Sequence, residues 1–341
     1  MARSLSWTTA HAKLHILLRQ RILLPKNSHI LMAVSGGQDS LCMARLLIDM
    51  CSKWQWRLGI LHCNHRWRAD SADNAAHVAE LAQSWQVPVW IEVASSVPSS
   101  EAAARDWRYG AIAKVANAEG FEFVVTGHTQ SDRAETVLYN LIRGTGTDGL
   151  GTLPWVRALD NLSLVRPLLH FSRQETADFC RQQHIPIWED STNQDMSFRR
   201  NRIRQELLPY LQEHFNPQVE RALAQMAEIT ADETNYLNAQ ATALYQQCVS
   251  EVVMGASLER SQSCWHIERK ALAKAPLALR RRVVKQLLER AIATSPNFFQ
   301  IEKLIALLTA PNGSQSDPFP SGWIAQVKGS VVSLNLIEQP Q

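Results

Sequence analysis

Short apolar runs at 30–34, 58–62, 89–93 and 121–126 recur along the first 140 residues. Helical patterns lie between them at about 39–52, 71–86 and 101–118, and another follows at about 132–142. Strands alternating with amphipathic helices predict an α/β domain: a doubly wound, mostly parallel sheet with helices on both faces. Right-handed crossovers then bring the loop after every strand to one edge of the sheet. Those loops read SGGQDS (35–40), HCNHRWR (62–68), SSVPSS (95–100) and GHTQSDRAET (127–136). Three of the four are rich in Gly, His, Asp, Asn or Arg, so their polar groups should converge on one crevice.

A chain of 341 residues is expected to hold two domains. The α/β domain is expected over 1–216. A smaller, mainly helical domain with a short strand-like tail is expected over 217–341, after the break at Pro209, EHFNP and Pro217. Residues 218–248 carry one long helical pattern. The glycine-rich run RGTGTDGLGTL (143–153) reads as a mobile or substrate-facing loop. A hydrophobic share of 45% supports sizeable cores, and a net charge of only +3 excludes a globally basic nucleic-acid coat. Local clusters remain: four arginines within residues 199–204, and LRRRVVK at 279–285. Six scattered cysteines without a C-x-x-C pair suit a reducing compartment and give no support to a zinc or dithiol site. No apolar run reaches membrane-spanning length and the first residues lack a signal-peptide core, so a cytoplasmic protein is expected.

The SGGQDS turn sits between strand and helix, where backbone N–H groups collect around an anion. It has neither the lysine of a G-x-x-x-x-G-K-[ST] loop nor a G-x-G-x-x-G pattern. Gly36 and Gly37 free the backbone, and Ser35 and Ser40 add hydroxyls. Asp39 would repel a bare phosphate, but a magnesium ion between carboxylate and phosphate removes the conflict. On the loop alone, a plain helix cap at Asp39 or Ser40 is the other reading. In HCNHRWR, His62 and His65 lack a third ligand at zinc spacing and suit hydrogen bonds to a base or phosphate; His62 also fits a buried structural role. Asp132 and Glu135 would share one face at a helix start. There they could receive a cationic substrate, take a proton from an amine, or merely favour the helix dipole.

SGGQDS resembles the S-G-G-x-D-S loop of the N-type ATP pyrophosphatases, the PP-loop superfamily. HCNHRWR, EAAARDWRY (101–109), GHTQSDRAET, RGTGTDGLGTL, RPLL (166–169), EDSTN (189–193) and RRNRIR (199–204) follow in the order of the tRNA(Ile)-lysidine synthase family. The likeness covers residues 27 to about 211. It implies ATP and Mg²⁺ as cofactors. It also implies free L-lysine and a tRNA(Ile) with anticodon CAU as substrates, with no DNA or membrane partner; a homodimer is compatible with it. The first anticodon cytidine would be adenylated at C2, and the lysine amine would then displace AMP. The resemblance implies Asp39, Asp132, Glu135 and His65 as catalytic, with Asp39 the metal ligand. It assigns Ser35, Gly36, Gln38, Asp39 and Ser40, with Gly37, His62 and Asn64, to ATP. The RNA and lysine fall to Arg108, Asp132, Glu135, Arg143, Arg200, Asn201 and Arg204. The chain departs from the usual GHHxxDQxET core, with Thr129 in place of a histidine, Ser131 often of an aspartate and Arg133 of a glutamine. The C-terminal part is short for the family, and a further terminal domain is expected to be absent. A PP-loop cytidine thiolase would need cysteines to carry sulfur or a cluster, an amidotransferase would need an ammonia source, and a non-catalytic tRNA binder would release no pyrophosphate.

Overall fold

The computed structural model describes residues 7–189, 195–254, 262–292 and 294–336. Two compact units divide the chain, Met1–Ala231 and Asp232–Gln341. The first contains α1 (Thr9–Arg21), β1 (His29–Ala33), α2 (Gln38–Trp54), β2 (Arg57–Asn64), α3 (Ser71–Ser84), β3 (Val89–Val93), α4 (Glu101–Glu119), β4 (Phe123–Thr126) and α5 (Gln130–Ile142). There follow α6 (Thr147–Leu150), β5 (Val156–Leu159), β6 (Leu162–Val165), α7 (Arg173–Gln182), α8 (Arg199–Arg202), a π-helical turn (Ile203–Leu207), α9 (Leu208–His214) and α10 (Val219–Cys248). The dividing point after Ala231 falls inside α10.

Six strands form the first sheet, in the order β3-β2-β1-β4-β6-β5. All neighbours are parallel except the edge strand β5, which is antiparallel to β6. β1 explains the double winding. Ile30, Leu31 and Met32 are all fully buried, the continuous apolar run of a strand covered on both faces. Ile30 and Met32 pack with Leu41, Leu46 and Leu47 of α2 and Phe179 of α7, whereas Leu31 packs with Ile112 and Val115 of α4. Because β1 lies between β2 and β4, the strand order reverses there. A crevice opens outside the carboxyl ends of these strands, the usual ligand position in such sheets.

The four strands expected between 30 and 126 are all present, but β5 and β6 were not anticipated: they form an antiparallel hairpin after the strand–helix alternation has ended. The 143–153 run is less of a loop than expected. It contains α6, and Asn140 Nδ2 donates to Gly149 O at 2.7 Å. A Cβ on Gly151 would lie 2.8 Å from Ala231 Cα, so that glycine serves close packing.

The second unit holds the rest of α10 with β7 (Val249–Met254), β8 (Gln262–Glu268), α11 (Arg269–Ala273), α12 (Leu277–Ile292), α13 (Phe298–Leu307), β9 (Trp323–Lys328) and β10 (Val331–Leu336). The strand-like tail is half of an antiparallel sheet ordered β7-β8-β10-β9, so this unit is less purely helical than expected. Val283, Val284, Leu287 and Leu288 of α12 bury against Ala325, Val327, Val332 and Leu334 of the sheet. Among the described residues no helix is long and apolar enough to cross a membrane.

Candidate active site

The 35–40 turn is held from several sides. Gly36 has φ +89°, and a Cβ there would lie 2.2 Å from Asn74 Oδ1, so both backbone angle and space demand glycine. Asn74 Nδ2 donates to Ser35 O at 3.0 Å, and Trp188 N donates to Gly36 O at 3.0 Å. Ser40 Oγ turns back to Gly37 O at 2.8 Å. Gly37 is the N-cap of α2 and brings no side chain to cap it. The first N–H groups of this 17-residue helix therefore have no side-chain acceptor, which favours anion binding over the plain-cap reading. The 127–136 loop lies directly on this turn: a Cβ on Gly127 would be 2.9 Å from the Asp39 and Ser40 backbone. His62 Nδ1 donates to Val34 O at 2.9 Å, and burial lowers its pKa, so a neutral ring ties the end of β2 to the start of the turn.

Asp39 is mostly buried. Its Oδ1 accepts from Thr176 Oγ1 at 2.5 Å, and Arg173 Nη2 lies 3.7 Å from Oδ2. Burial pushes its carboxyl up; Arg173 opposes this and Asp132 adds to it. Thr176 and Arg173 come from α7, which sequence reasoning did not connect to the site. The Ser172–Glu175 capping box announces that helix, but no local signal tells that its first turn meets Asp39.

Asp132 and Glu135 project from the first turns of α5 and do come together. Thr129 caps this helix, its N–H and hydroxyl reaching Asp132 Oδ2 at 2.8 and 2.9 Å. Arg204, carried on the π-helical turn, grips both acids. Its Nε and Nη2 reach the two Glu135 oxygens at 2.5 and 2.8 Å, and Nη2 reaches Asp132 Oδ1 at 3.2 Å. Burial lowers the Arg204 pKa, but the hydrogen bonds and charges of Glu135 and Asp132 outweigh it and carry the guanidinium above its usual value. The bidentate geometry is that of an ionised pair. Two carboxylates against one guanidinium leave excess negative charge facing Asp39.

The other expected residues divide into groups. Asn64 shapes its own loop: Oδ1 accepts from Arg66 N at 2.8 Å, and Nδ2 donates to Ser71 O at 3.1 Å. Asn201 Nδ2 likewise donates to Asp195 O at 2.8 Å. Arg143 and Arg200 both lie over the Tyr139 ring, 5.3 and 5.6 Å from its centroid. Arg108 is close enough to Arg105 and Arg200 for their charge to lower its pKa, after the larger effect of desolvation. His65 stacks beside Trp67 and Trp107 and is not joined to the carboxylates. Of EDSTN, residues 190–193 lie outside the described residues. A cavity of about 460 Å³ opens near the start of α5, bordered by Lys13, Gln130, His170, Ser172, Glu175 and Arg221.

The departures from the family motif each have a structural partner. Thr129 is the helix cap. Ser131 Oγ donates to Glu220 Oε2 at 2.8 Å. Arg133, almost wholly buried, reaches Glu228 Oε2 at 3.2 Å and Leu153 O at 2.8 Å. Glu228 also meets His170 at 3.1 Å and pairs with Arg21. Both acids lie on α10, so the altered residues fasten α5 to it.

The residues present fit magnesium held jointly with phosphate. Among the described residues no three His, Cys, Asp or Glu could hold a metal alone. Asp39 offers a hard oxygen donor whose carboxyl is pushed up by burial and by Asp132, and a cation there would relieve both effects.

Residues 8–211 match the family described as "PP-loop domain". A tRNA(Ile)-lysidine synthase of Nostoc sp. is 53% identical over 96% of this chain and 97% of its own length. That of Synechocystis sp. is 46% identical over 95% and 97%. A chloroplastic one from Zygnema circumcarinatum is 36% identical over 89% and 80%. Among solved structures, a U34-tRNA thiolase of Methanococcus maripaludis with its [4Fe-4S] cluster superposes with a TM-score of 0.56. It is 16% identical over 65% of this chain and 78% of that one, a likeness of fold alone. A glycine turn, an uncapped helix start and two carboxylates on the facing loop thus accompany near-full-length identity, and the chain belongs to the tRNA(Ile)-lysidine synthase family of PP-loop proteins.

Proposed function

We propose that this protein ligates free lysine to C2 of the cytidine at the first anticodon position of a CAU-bearing tRNA(Ile), using ATP. The observation that carries the reading is the meeting of the uncapped α2 start with the Asp132–Glu135 pair across Asp39. In the first step the cytidine O2 attacks the α-phosphorus and pyrophosphate leaves. In the second the lysine side-chain amine attacks C2, loses a proton, and AMP leaves. The 35–40 turn and the α2 N–H groups hold the triphosphate, where their donors face the charge that develops on the phosphate oxygens. Asp39 would hold Mg²⁺ against those oxygens; bound there, the ion supplies charge neutralisation. Asp132 and Glu135 hold the lysine ammonium, and one of them takes up the amine proton. Arg204, by engaging both, aligns them and partly offsets the burial that pushes the Glu135 carboxyl up.

Cysteine placement disfavours thiolation. Cys42, Cys180, Cys248 and Cys264 are buried, and burial pushes the Cys63 thiol up to about 12. The deciding assay follows pyrophosphate release and labelled-lysine incorporation with ATP and the tRNA. Both should depend on the CAU anticodon; incorporation should depend on lysine, whereas a first turnover of pyrophosphate release should not, and absence of incorporation with lysine present refutes the reading. Asp39→Asn should lower pyrophosphate release on the order of 10²–10³-fold while the melting temperature stays nearly constant. Near-normal release would remove Asp39 from the metal-binding role.

A further inference from the structure

Resting on the reading just given, we propose that Trp67 is a stacking platform for an unpaired nucleobase of the RNA next to the reacting cytidine. Trp67 is 45% exposed in the loop that follows β2, beside the phosphate turn. An exposed tryptophan is usually mobile, but this one is fixed: its Nε1 donates to Pro98 O at 3.0 Å. The His65 ring lies behind it, with centroids 5.6 Å apart and planes 29° apart. Trp107 closes edge-on against His65 at 4.8 Å. The His65 pKa is lowered to about 4, by burial first and Arg108 second, so the supporting ring is neutral and stacks without a charge to solvate. Its Nδ1 is buried without a hydrogen-bond partner. Arg66, between the two rings in sequence, is forced to φ +62°, a conformation that Asn64 Oδ1 holds by accepting its N–H. The loop thus spends strain to present one flat ring outward.

The surrounding charge favours RNA over the adenine of ATP. Among the described residues, Arg105, Arg108 and Arg200 form no ion pair with a carboxylate, although Arg105 and Arg200 are close enough to lower the Arg108 pKa. ATP brings its charge on one triphosphate, which the 35–40 turn and α2 accommodate. Arg108 acts on His65, the ring behind Trp67, and is itself close to Arg105 and Arg200; an unneutralised arginine cluster beside the platform suits a chain with a phosphate at every residue.

Stacking and phosphate pairing respond differently to salt, and this gives the test. An alanine in place of a stacking ring lowers affinity at every salt concentration. Removing a cation from a phosphate also flattens the slope of log K against log salt. Trp67→Ala should weaken binding of the tRNA, and raise its KM, by about five- to a hundredfold. Slope and KM for ATP should stay the same. Trp67→Phe, which loses the Pro98 hydrogen bond but keeps a ring, should recover most of the affinity. An anticodon stem-loop carrying 2-aminopurine beside the first anticodon position should be quenched on binding the native protein and Trp67→Phe, but not Trp67→Ala. Equal affinity and quenching in the alanine variant overturns the platform. A changed slope reassigns the effect to phosphate binding, and a raised ATP KM reassigns the ring to adenine; either also overturns it. If the native protein incorporates lysine while Trp67→Ala behaves like it, only the platform fails. If the native protein incorporates none, the functional reading fails instead.

Discussion

Asp132 and Glu135 share a partner but do not do the same work. Asp132 is also half of the capping box of α5, so an alanine there removes a helix cap, worth about 1 kcal/mol, along with a charge. The cleaner pair of variants is Asp132→Asn and Glu135→Gln. Each should raise the KM for lysine tenfold or more and leave that for ATP within about twofold, since a buried ammonium needs charge compensation. Steady-state kinetics in lysine decide this, and an unchanged lysine KM in both would reduce them to supports for Arg204. Acid should destabilise the fold through its desolvated histidines, two of them above all. His65 and His128 are each lowered from 6.5 to about 4, burial being the main cause. Between those values the unfolded chain binds protons that the native chain refuses, so stability is full above pH 6.5 and falls as pH drops towards 4. The slope is at most about 1.4 kcal/mol per pH unit for each residue. Melting temperatures from about pH 7.5 to about pH 5 should show the fall, and His65→Phe should flatten it. Residues next to a turn in sequence were legible: the glycines, Asp39, Asp132 and Glu135. Thr176, Arg173 and Asn74 were not, because they reach the site from helices 39 or more positions away and carry no local mark of it.

Helices and strands were legible where their periodicity is long. β3 and α10 fall within a residue of the pattern, whereas Arg157, Asp160, Asn161 and Ser163 break up the apolar signal of β5 and β6, unlike the continuous apolar run 123–125 of the equally short β4. The antiparallel half formed by β7 and β8 was missed for a related reason: Ser250, Glu251, Ser263 and His266 dilute the apolar signal of strands in a small sheet. The fastening of α5 to α10 is the sharpest element-level consequence of the unusual motif residues. Arg133→Ala should cost about 1–3 kcal/mol, less than the usual loss of a buried pair, because Glu228 keeps Arg21 and His170. Arg133→Gln, the family's usual residue, should recover part of this through Leu153 O. Denaturant midpoints of both variants test the ranking. Equal stability of native and alanine forms would mean the pair carries no net energy.

Across the molecule, ATP chemistry should belong to the first unit, and arginines of the second should affect only RNA binding. The three arginines that open α12 are not equivalent. Arg281 pairs with Glu302 at 2.7 Å and Arg282 meets Asn238 at 2.6 Å, while the buried Arg280 Nε has no hydrogen-bond partner. Replacing Arg280 by Ala should weaken tRNA binding and reduce its salt slope by about one unit, with ATP affinity constant. Replacing Arg281 alone should change the slope less, since its charge is already answered. Parallel salt lines for native and variant proteins would leave this run as a solvated face and shift attention to Arg199 and Arg200.

The π-helical turn under Arg204 has a consequence at the level of single codons. Its hydrogen bonds reach back five residues where an α-helix reaches four, so the segment contains one residue more than regular winding needs. Loss of Gln205 would let the helix wind regularly, and nothing in backbone hydrogen bonding would resist it. Ile203 and Leu208 would stay about one turn apart, so Leu208 could keep the core it shares with Leu138 and Ile203; what would go is the bulge from which Arg204 reaches Asp132 and Glu135. The extra residue thus serves the guanidinium rather than the helix: a one-codon in-frame deletion that the helix tolerates should still draw Arg204 away from its carboxylates.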